Sequence, residues 1–418
     1  LHAHFLDLSL SYFEHFIIID TANLAWNRLS SEIQHQISTV LNITNATEIE
    51  EFGSPMGIVA NWADHVRHYL PWSGELHFVD VRDDLIEGGC HYRYNSSTTN
   101  NSSSSSSSSP LCDFDYYHRD CVDGNCVVGA VFNYSTQLLE EQQLRYDDNS
   151  AATTTSSSSS TRNLRQRTSK QEGNNIVYKP KSIREALMFL IHFIGDVHQP
   201  LHVSRSSDRG GNDINVKYHV PDNITTSTTK EKSHHHAYNL HSVWDTAMIE
   251  TALERRDYSS HNTSRSPRTE LEGSLESFLT DHPELLKRFT SCQNGSGARH
   301  LECVIEWGNE SWDRALKYAY TKNSPWKNAS SPGNDDNVVV DVVSGDEIDE
   351  EYYQSRLPIV KEQLIAGGIR LAATLEGIFG QNDDVNNIND VENDGSTIEK
   401  LSSMEGIHMW SSISSLLS

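Results

Sequence analysis

Two stretches of this chain place a histidine four residues ahead of an aspartate. One is His192-Phe-Ile-Gly-Asp196, which continues through Val-His-Gln-Pro200-Leu to His202; the other is Asn239-Leu-His241-Ser-Val-Trp-Asp245. On an α-helix, residues four apart share a face, so each stretch sets an imidazole one turn from a carboxylate. Both lie in apolar sequence, and a buried helix carries His and Asp only when they are paired or bound to metal. Neutral imidazole with carboxylate is a ligand set that suits Zn2+ and leaves positions for water and substrate. A single such spacing commonly just solvates a helix face. A core His bonded to a core Asp would leave His202 and the second stretch unexplained, so a catalytic metal site is expected.

The flanking residues build helices around these groups. Ser182-Ile-Arg-Glu185 reads as a capping box, and Ala186, Leu187, Phe189, Leu190 and Phe193 then make the helix apolar nearly all round, hence buried. Pro200 stops that helix, leaving His202 on the following loop to point back toward the same cavity. Earlier, Ser54-Pro55 is a cap with Pro at the first helical position, and Ile58, Val59, Trp62, Val66 and Tyr69 mark one helical face. Asp64 and Arg67 sit three apart there, which on spacing alone is an ordinary surface ion pair worth about 0–1 kcal/mol. Phe78, Val79 and Asp80 alternate as in a short strand or extended loop, and Ile214 to Tyr218 alternate likewise. Leu357, Val360, Leu364, Gly368, Leu371, Leu375 and Ile378 trace one face of a long C-terminal helix. Gly367-Gly368 inside it costs about 1 kcal/mol per glycine against Ala, which implies close approach of another backbone. The expected fold class is mainly α.

Five motifs in order carry a family resemblance: Asn61-Trp-Ala-Asp64-His-Val-Arg67, Leu76-His77-Phe78-Val-Asp80, His192 to His202, Gly210-Gly-Asn-Asp-Ile-Asn215, and Asn239 to Asp245. From about Leu24 to about Gly380 the chain resembles the zinc-dependent single-strand-specific nucleases of fungi and plants. These are type I nucleases that also act as 3′-nucleotidases and are related in fold to the bacterial zinc phospholipases C. The resemblance implies a multi-helix zinc phospholipase C/nuclease-like fold with a small β element, in which Ile214 to Tyr218 pairs with Val79 or its neighbours. It implies a trinuclear zinc site. Asp64, His77, His192 and Asp196 would hold one zinc, His202, His241 and Asp245 a second, and Asp196 would bridge toward a third. Asp64, Arg67 and Asp196 would be catalytic, with Arg67 neutralising charge on the phosphorane. Phe78, Asp80 and Asn212 would bind substrate, the ring stacking on a base and the Asp80 carboxylate accepting from its edge.

The third zinc is where this chain departs from the family pattern. In the family its remaining ligands are the amino terminus of an N-terminal Trp and a His five residues on. Counting back from Leu24 places that Trp at Phe13 and that His at Ile18, so neither ligand is in position. His2, His4 and His15 are nearby without the spacing. The function expected is hydrolysis of phosphodiester bonds in single-stranded DNA and RNA to 5′-phosphorylated products, with 3′-nucleotidase activity. The alternatives are a phospholipase C-like phosphodiesterase and a non-catalytic secreted relative with an incomplete metal site. Phe78 and Asp80 speak against the former, since a choline site wants an aromatic cage.

Composition bounds the partners and the compartment. The 418 residues carry a formal net charge of −25, whereas tight non-specific duplex binding needs a basic footprint. Much of the acid lies outside the motifs, in Asp341 to Glu351 and Asp383 to Glu399, and bound zinc would supply positive charge where phosphate binds. Small or single-stranded substrates are expected, with a monomeric protein and no membrane span. Six cysteines point to an oxidising compartment. Cys121 and Cys126 have the spacing of a loop disulfide, and Cys292 and Cys303 bracket a Gly-rich loop as a second pair. Cys112 matches a family cysteine whose usual partner position is Leu316 here, which leaves its partner open, with Cys90 as one candidate. Sequons at Asn42, Asn45, Asn95, Asn133, Asn223, Asn262, Asn294, Asn309 and Asn328 fit a secreted or secretory-pathway glycoprotein. One nuclease domain is expected over residues 1–380. Low-complexity or surface insertions fall near 95–109, 149–177, 221–236 (which ends in His234-His-His236), 256–270 and 331–350, and an acidic, disordered tail covers 381–418.

Overall fold

The computed structural model of the chain describes residues 16–85, 89–91, 112–154, 182–219, 237–259, 267–290, 298–322 and 340–380. These are mainly α-helical. The helices are α1 (Phe16–Trp26), α2 (Ser31–Leu41), α3 (Ala46–Phe52), α4 (Pro55–Val59), α5 (Trp62–Val66), α6 (Val127–Thr154), α7 (Ile183–His198), α8 (Leu240–Ser242), α9 (Met248–Ser259), α10 (Pro267–Asp281), α11 (Pro283–Thr290), α12 (Ala298–Arg314) and α13 (Glu350–Phe379). The strands are short: β1 (Val79–Val81), β2 (Val203–Arg205), β3 (Asn215–Tyr218), β4 (Ala237–Asn239) and β5 (Glu347–Ile348).

Helix α7 is central. The Ser182 hydroxyl accepts the Glu185 N–H at 3.2 Å, and every residue from Ala186 to His198 is buried. Around it pack α6, α1, α13 and α12. Tyr134 of α6 stacks on Phe189 at 5.0 Å between ring centroids, and Phe189 stacks on Phe193 at 5.3 Å. Glycines let α1 lie close to two neighbours. A Cβ on Gly368 of α13 would come 2.6 Å from Leu24 Cβ, and one on Gly195 of α7 would come 2.6 Å from Ile18 Cδ1 and 3.3 Å from Ile18 Cα. The close backbone approach expected at Gly367-Gly368 is therefore that of α1.

Two elements differ from the sequence expectation for reasons that lie in the site. Residues 55–69 do not form one helix: α4 ends at Val59, Asn61 has φ −88° and ψ 4°, and α5 starts at Trp62. The Ala60 carbonyl accepts from His192 Nδ1 at 2.7 Å instead of continuing the helix, and Tyr69 is 84% exposed. The strand at Asn215–Tyr218 does not pair with Val79. β1 runs parallel to β2, with Val79 opposite Val203, while β3 pairs with β4 antiparallel and with β5 in parallel. Alternation marks a strand without naming its partner, and the turn at His202 carries β2 alongside β1 first.

Three expected insertions are partly ordered structure. Helix α6 runs on to Thr154, α9 to Ser259, and α10 starts at Pro267. Val342 and Ile348 are buried, and β5 completes the β4-β3-β5 sheet. Disulfides join Cys90 to Cys112 and Cys121 to Cys126. Cys303 is also disulfide-bonded, and its expected partner Cys292 lies outside the described residues. So do residues 95–109, 221–236 (with His234 to His236), the tail 381–418, and His2, His4 and His15. No described helix is long and apolar enough to cross a membrane.

Candidate metal centre

The C-terminal half of α7 brings His192 and Asp196 to one face, where Asp64 from α5 and His77 from the turn before β1 meet them. His192 Nε2 lies 3.1 Å from Asp196 Oδ2 and 3.5 Å from Asp64 Oδ2. His77 Nδ1 lies 3.0 Å from Asp196 Oδ2, 3.6 Å from Asp64 Oδ1 and 3.0 Å from His192 Nε2. Four ligands at zinc-bond length in a tetrahedron stand about 3.3 Å apart. These four donors match that spacing, and all four residues are buried.

A second group forms where α7 ends. Pro200 opens the turn holding His202, and the Asn239 side chain caps α8, which holds His241. Beyond α8 the chain widens into a π-helical turn, Val243–Ala247, that contains Asp245. His241 Nε2 lies 3.1 Å from Asp245 Oδ2, and His202 Nε2 lies 3.4 Å from Asp245 Oδ1. The His202 and His241 rings stack at 5.0 Å. Asp196 faces both groups: its Oδ2 serves the first, and its Oδ1 is 3.3 Å from His202 Nδ1.

Backbone carbonyls fix three of the four imidazoles. His192 Nδ1 is 2.7 Å from Ala60 O, His202 Nδ1 is 2.9 Å from His77 O, and His241 Nδ1 is 2.7 Å from Gly210 O. A ring that donates through Nδ1 presents its Nε2 lone pair, as a metal ligand must. Gly210, at φ +65°, can host no Cβ, because one would meet Leu201 O at 2.6 Å. That is the physical content of the Gly210-Gly211 pair.

The electrostatics describe a site built for cations. Burial disfavours a proton on His192, but the charges of Asp196 and Asp64 outweigh it and push its pKa up to about 9. His202 is raised well above the usual imidazole value in the same way, against its burial, by Asp196 and Asp245. Burial opposes ionisation of Asp196, yet His192 and His202 hold its carboxyl well below the usual range; burial likewise opposes that of Asp245, which His241 and His202 hold low. His202 Nε2 and Asp196 Oδ1 are buried and make ion-pair approaches of 3.4 Å and 3.3 Å without hydrogen-bond geometry. Buried, converging ligand atoms left without a hydrogen bond are what a metal ion satisfies. The seven residues fit two metal ions. Ile18, at the position counted for a third metal's His, packs its alkyl chain against Gly195 and offers no donor.

The remaining predicted residues lie around this centre. Arg67 is 45% exposed, with Nη1 3.5 Å from Asp64 Oδ1, so the ion pair read from spacing coexists with a carboxylate turned to the site. Phe78 is half-buried and Asp80 exposed, one on each side of buried Val79. Although Asp80 is exposed as a residue, neighbouring atoms partly desolvate its carboxyl, and this with the charge of Glu75 raises it to about 6, with Arg209 and Arg82 pulling it back. The Asn212 side chain donates to Arg209 O at 2.9 Å and accepts from Asn239 at 3.3 Å, bracing the α8 cap. Sequence reasoning missed Gln199, whose Nε2 donates to Asp245 Oδ1 at 2.5 Å, and the carbonyls of Ala60, His77 and Gly210.

The family model described as S1/P1 nuclease matches residues 19–380. Endonuclease 2 of Arabidopsis thaliana is 31% identical over 370 residues, 85% of this chain and 91% of that protein. Endonuclease 4 of the same plant is 31% identical over 328 residues, 77% of this chain and 76% of its own. Nuclease P1 of Penicillium citrinum is 29% identical over 197 residues, 47% of this chain and 45% of its own.

Proposed function

The chain belongs to the S1/P1 nuclease family, zinc-dependent hydrolases that act on nucleic acid, and from that premise we propose that it cleaves phosphodiester bonds of single-stranded DNA and RNA endonucleolytically to 5′-phosphorylated products. We further propose that the same site removes 3′-phosphates from nucleotides, and that the protein acts as a secreted or secretory-pathway monomer. The observation that carries the reading is the convergence of six His and Asp donors into two adjoining groups, with Asp196 against the first and its other oxygen 3.3 Å from His202 Nδ1. Two zinc ions are assigned here, one to Asp64, His77, His192 and Asp196, and one to His202, His241 and Asp245.

Bound zinc supplies Lewis acidity and a water acidic enough to deprotonate near neutrality. The chain's own residues do the rest. Ala60, His77 and Gly210 hold three imidazoles in the tautomer that presents Nε2. Asp196 keeps the two groups in register through its two oxygens. Arg67 stands at the exposed edge, one turn along from Asp64, where its guanidinium pairs with a phosphate oxygen as negative charge grows. Phe78 stacks on a base and Asp80 accepts from its edge, which places the adjoining phosphate over the donors. Asn212 acts on substrate binding from the loop that braces His241. The disulfides and the sequons whose asparagines are exposed, Asn42, Asn45 and Asn309, support secretory passage.

The purified full chain should cut a labelled single-stranded oligonucleotide far faster than its duplex, leaving phosphatase-sensitive 5′ ends. Dialysis against a chelator should abolish cutting, and zinc should restore it. Activity that survives chelation, or products with 3′-phosphates, would overturn the proposal.

A further inference from the structure

We propose that Gln199 is the positioning residue of the second donor group, a single side chain that sets both His202 and Asp245; the proposal rests on the metal reading above. Gln199 follows the last residue of α7 and is 1% exposed. Its Nε2 donates to Asp245 Oδ1 at 2.5 Å, and its Oε1 accepts the N–H of Leu201. The amide orientation is not arbitrary, because an ionised carboxylate only accepts and a backbone N–H only donates.

Each bond governs one ligand. The bond to Leu201, with the His202 N–H returning to Gln199 O at 2.9 Å, closes the turn that delivers His202. The bond to Asp245 occupies Oδ1 and leaves Oδ2 toward His241 Nε2, 3.1 Å away. A primary amide is suited to this double task. Glu lacks the donor, Lys and Arg lack the acceptor, and a cation here would repel the metal.

Gln199 is itself fixed from behind. Ser311 Oγ donates to Val197 O at 2.5 Å, and Gln363 Nε2 donates to His198 O at 2.8 Å, so the last carbonyls of α7 are pinned to α12 and α13. An outer partner held this firmly restricts the ligand carboxylate to one rotamer, and losing such a partner typically costs 10–100-fold in metal affinity.

The test uses the full chain and its Gln199→Met and Gln199→Glu variants. Chelator competition measures zinc affinity, and visible absorption of the cobalt-substituted protein reports ligand geometry. In Gln199→Met one metal equivalent should keep its affinity while another weakens about 10–100-fold and its cobalt band changes. Gln199→Glu keeps the acceptor for Leu201 and loses the donor to Asp245, so it should weaken the same equivalent even if the Met variant fails to fold. A folded variant with unaltered affinities and cobalt spectrum would overturn the proposal, whatever its melting temperature. An unsubstituted chain that takes up no zinc would instead overturn the metal reading on which the proposal stands.

Discussion

Gly195→Ala probes the packing that sets the position of Asp196. The added Cβ would stand 2.6 Å from Ile18 Cδ1, 3.3 Å from Ile18 Cα and 3.5 Å from Ile18 Cγ2. Carbon atoms prefer about 3.5–4.0 Å, so α1 and α7 must separate by several tenths of an ångström or the isoleucine must change rotamer. Overpacking of this kind costs about 1–3 kcal/mol. Exchanging Gly for Ala inside a helix returns about 1 kcal/mol, which leaves a net loss of about 0–2 kcal/mol. The single variant is therefore a weak test, and the double variant a strong one. Ile18→Val removes Cδ1, the worst contact, and alone costs about 0.5–1.5 kcal/mol. If the geometry is right, the pair should be more stable than the sum of its parts by about 0.5–3 kcal/mol in denaturant unfolding. Strict additivity would refute the contact and the placement of Ile18 beside the metal helix. Turnover adds a second readout, because displacing Asp196 by a fraction of an ångström should lower kcat in Gly195→Ala, with recovery in the double variant.

Three further outcomes follow from the same geometry. Asp196→Asn should reduce zinc uptake and activity more than His202→Ala, since Asp196 faces both donor groups; a worse His202→Ala with unchanged metal content would reverse that ranking. Phe78→Ala should raise KM on a dinucleotide by roughly 5- to 150-fold, the equivalent of one stack of about 1–3 kcal/mol, with zinc content unchanged; an unaltered KM would place the ring in the core. With its pKa raised to about 6 by partial desolvation of the carboxyl and by Glu75, Asp80 is neutral below that pH and ionised above it. Preference for bases with amino-group donors should therefore grow as pH rises through about 6 and flatten in Asp80→Asn, and a wild-type preference constant from pH 5 to 7.5 would exclude the role.

What could be read in advance was chemistry held within a few residues. His192 with Asp196, and His241 with Asp245, are neighbours because helical spacing makes them so. The Ser182 cap, the stop at Pro200 and the glycine pair in α13 are local in the same sense. What could not be read depends on distant chain. The helix breaks at Ala60 because a histidine 132 residues later takes its carbonyl. β1 pairs with β2 rather than β3 because the His202 turn sets the register, which alternation alone leaves open. Gln199 reads as no more than the residue before a proline until Asp245 folds back onto it from 46 positions on. The polar stretches at 149–177, 256–270 and 331–350 share composition with loops, yet α6, α9, α10 and β5 reach into them. There neighbouring structure overrides a compositional signal that was never strong.

Charge explains how so acidic a chain can act on a polyanion. The centre buries Asp64, Asp196 and Asp245 together, an arrangement that would be costly without compensation. In the metal-free protein the compensation is protonic, since His192 is held up to about 9 and His202 well above its usual value. Zinc must displace those protons, so its affinity should fall as pH falls. Once two dications replace the protons, they outweigh the three carboxylates by one positive charge, and Arg67 adds another at the exposed edge. The chain as a whole carries a net charge of −25, which disfavours the broad electrostatic attraction that holds a rigid duplex. On the proposed reading, attraction is confined to one spot, into which a strand would bend a single phosphate while a base reaches Phe78. A flexible single strand would, on that reading, do so at little cost, whereas a duplex would first have to be unpaired and unstacked.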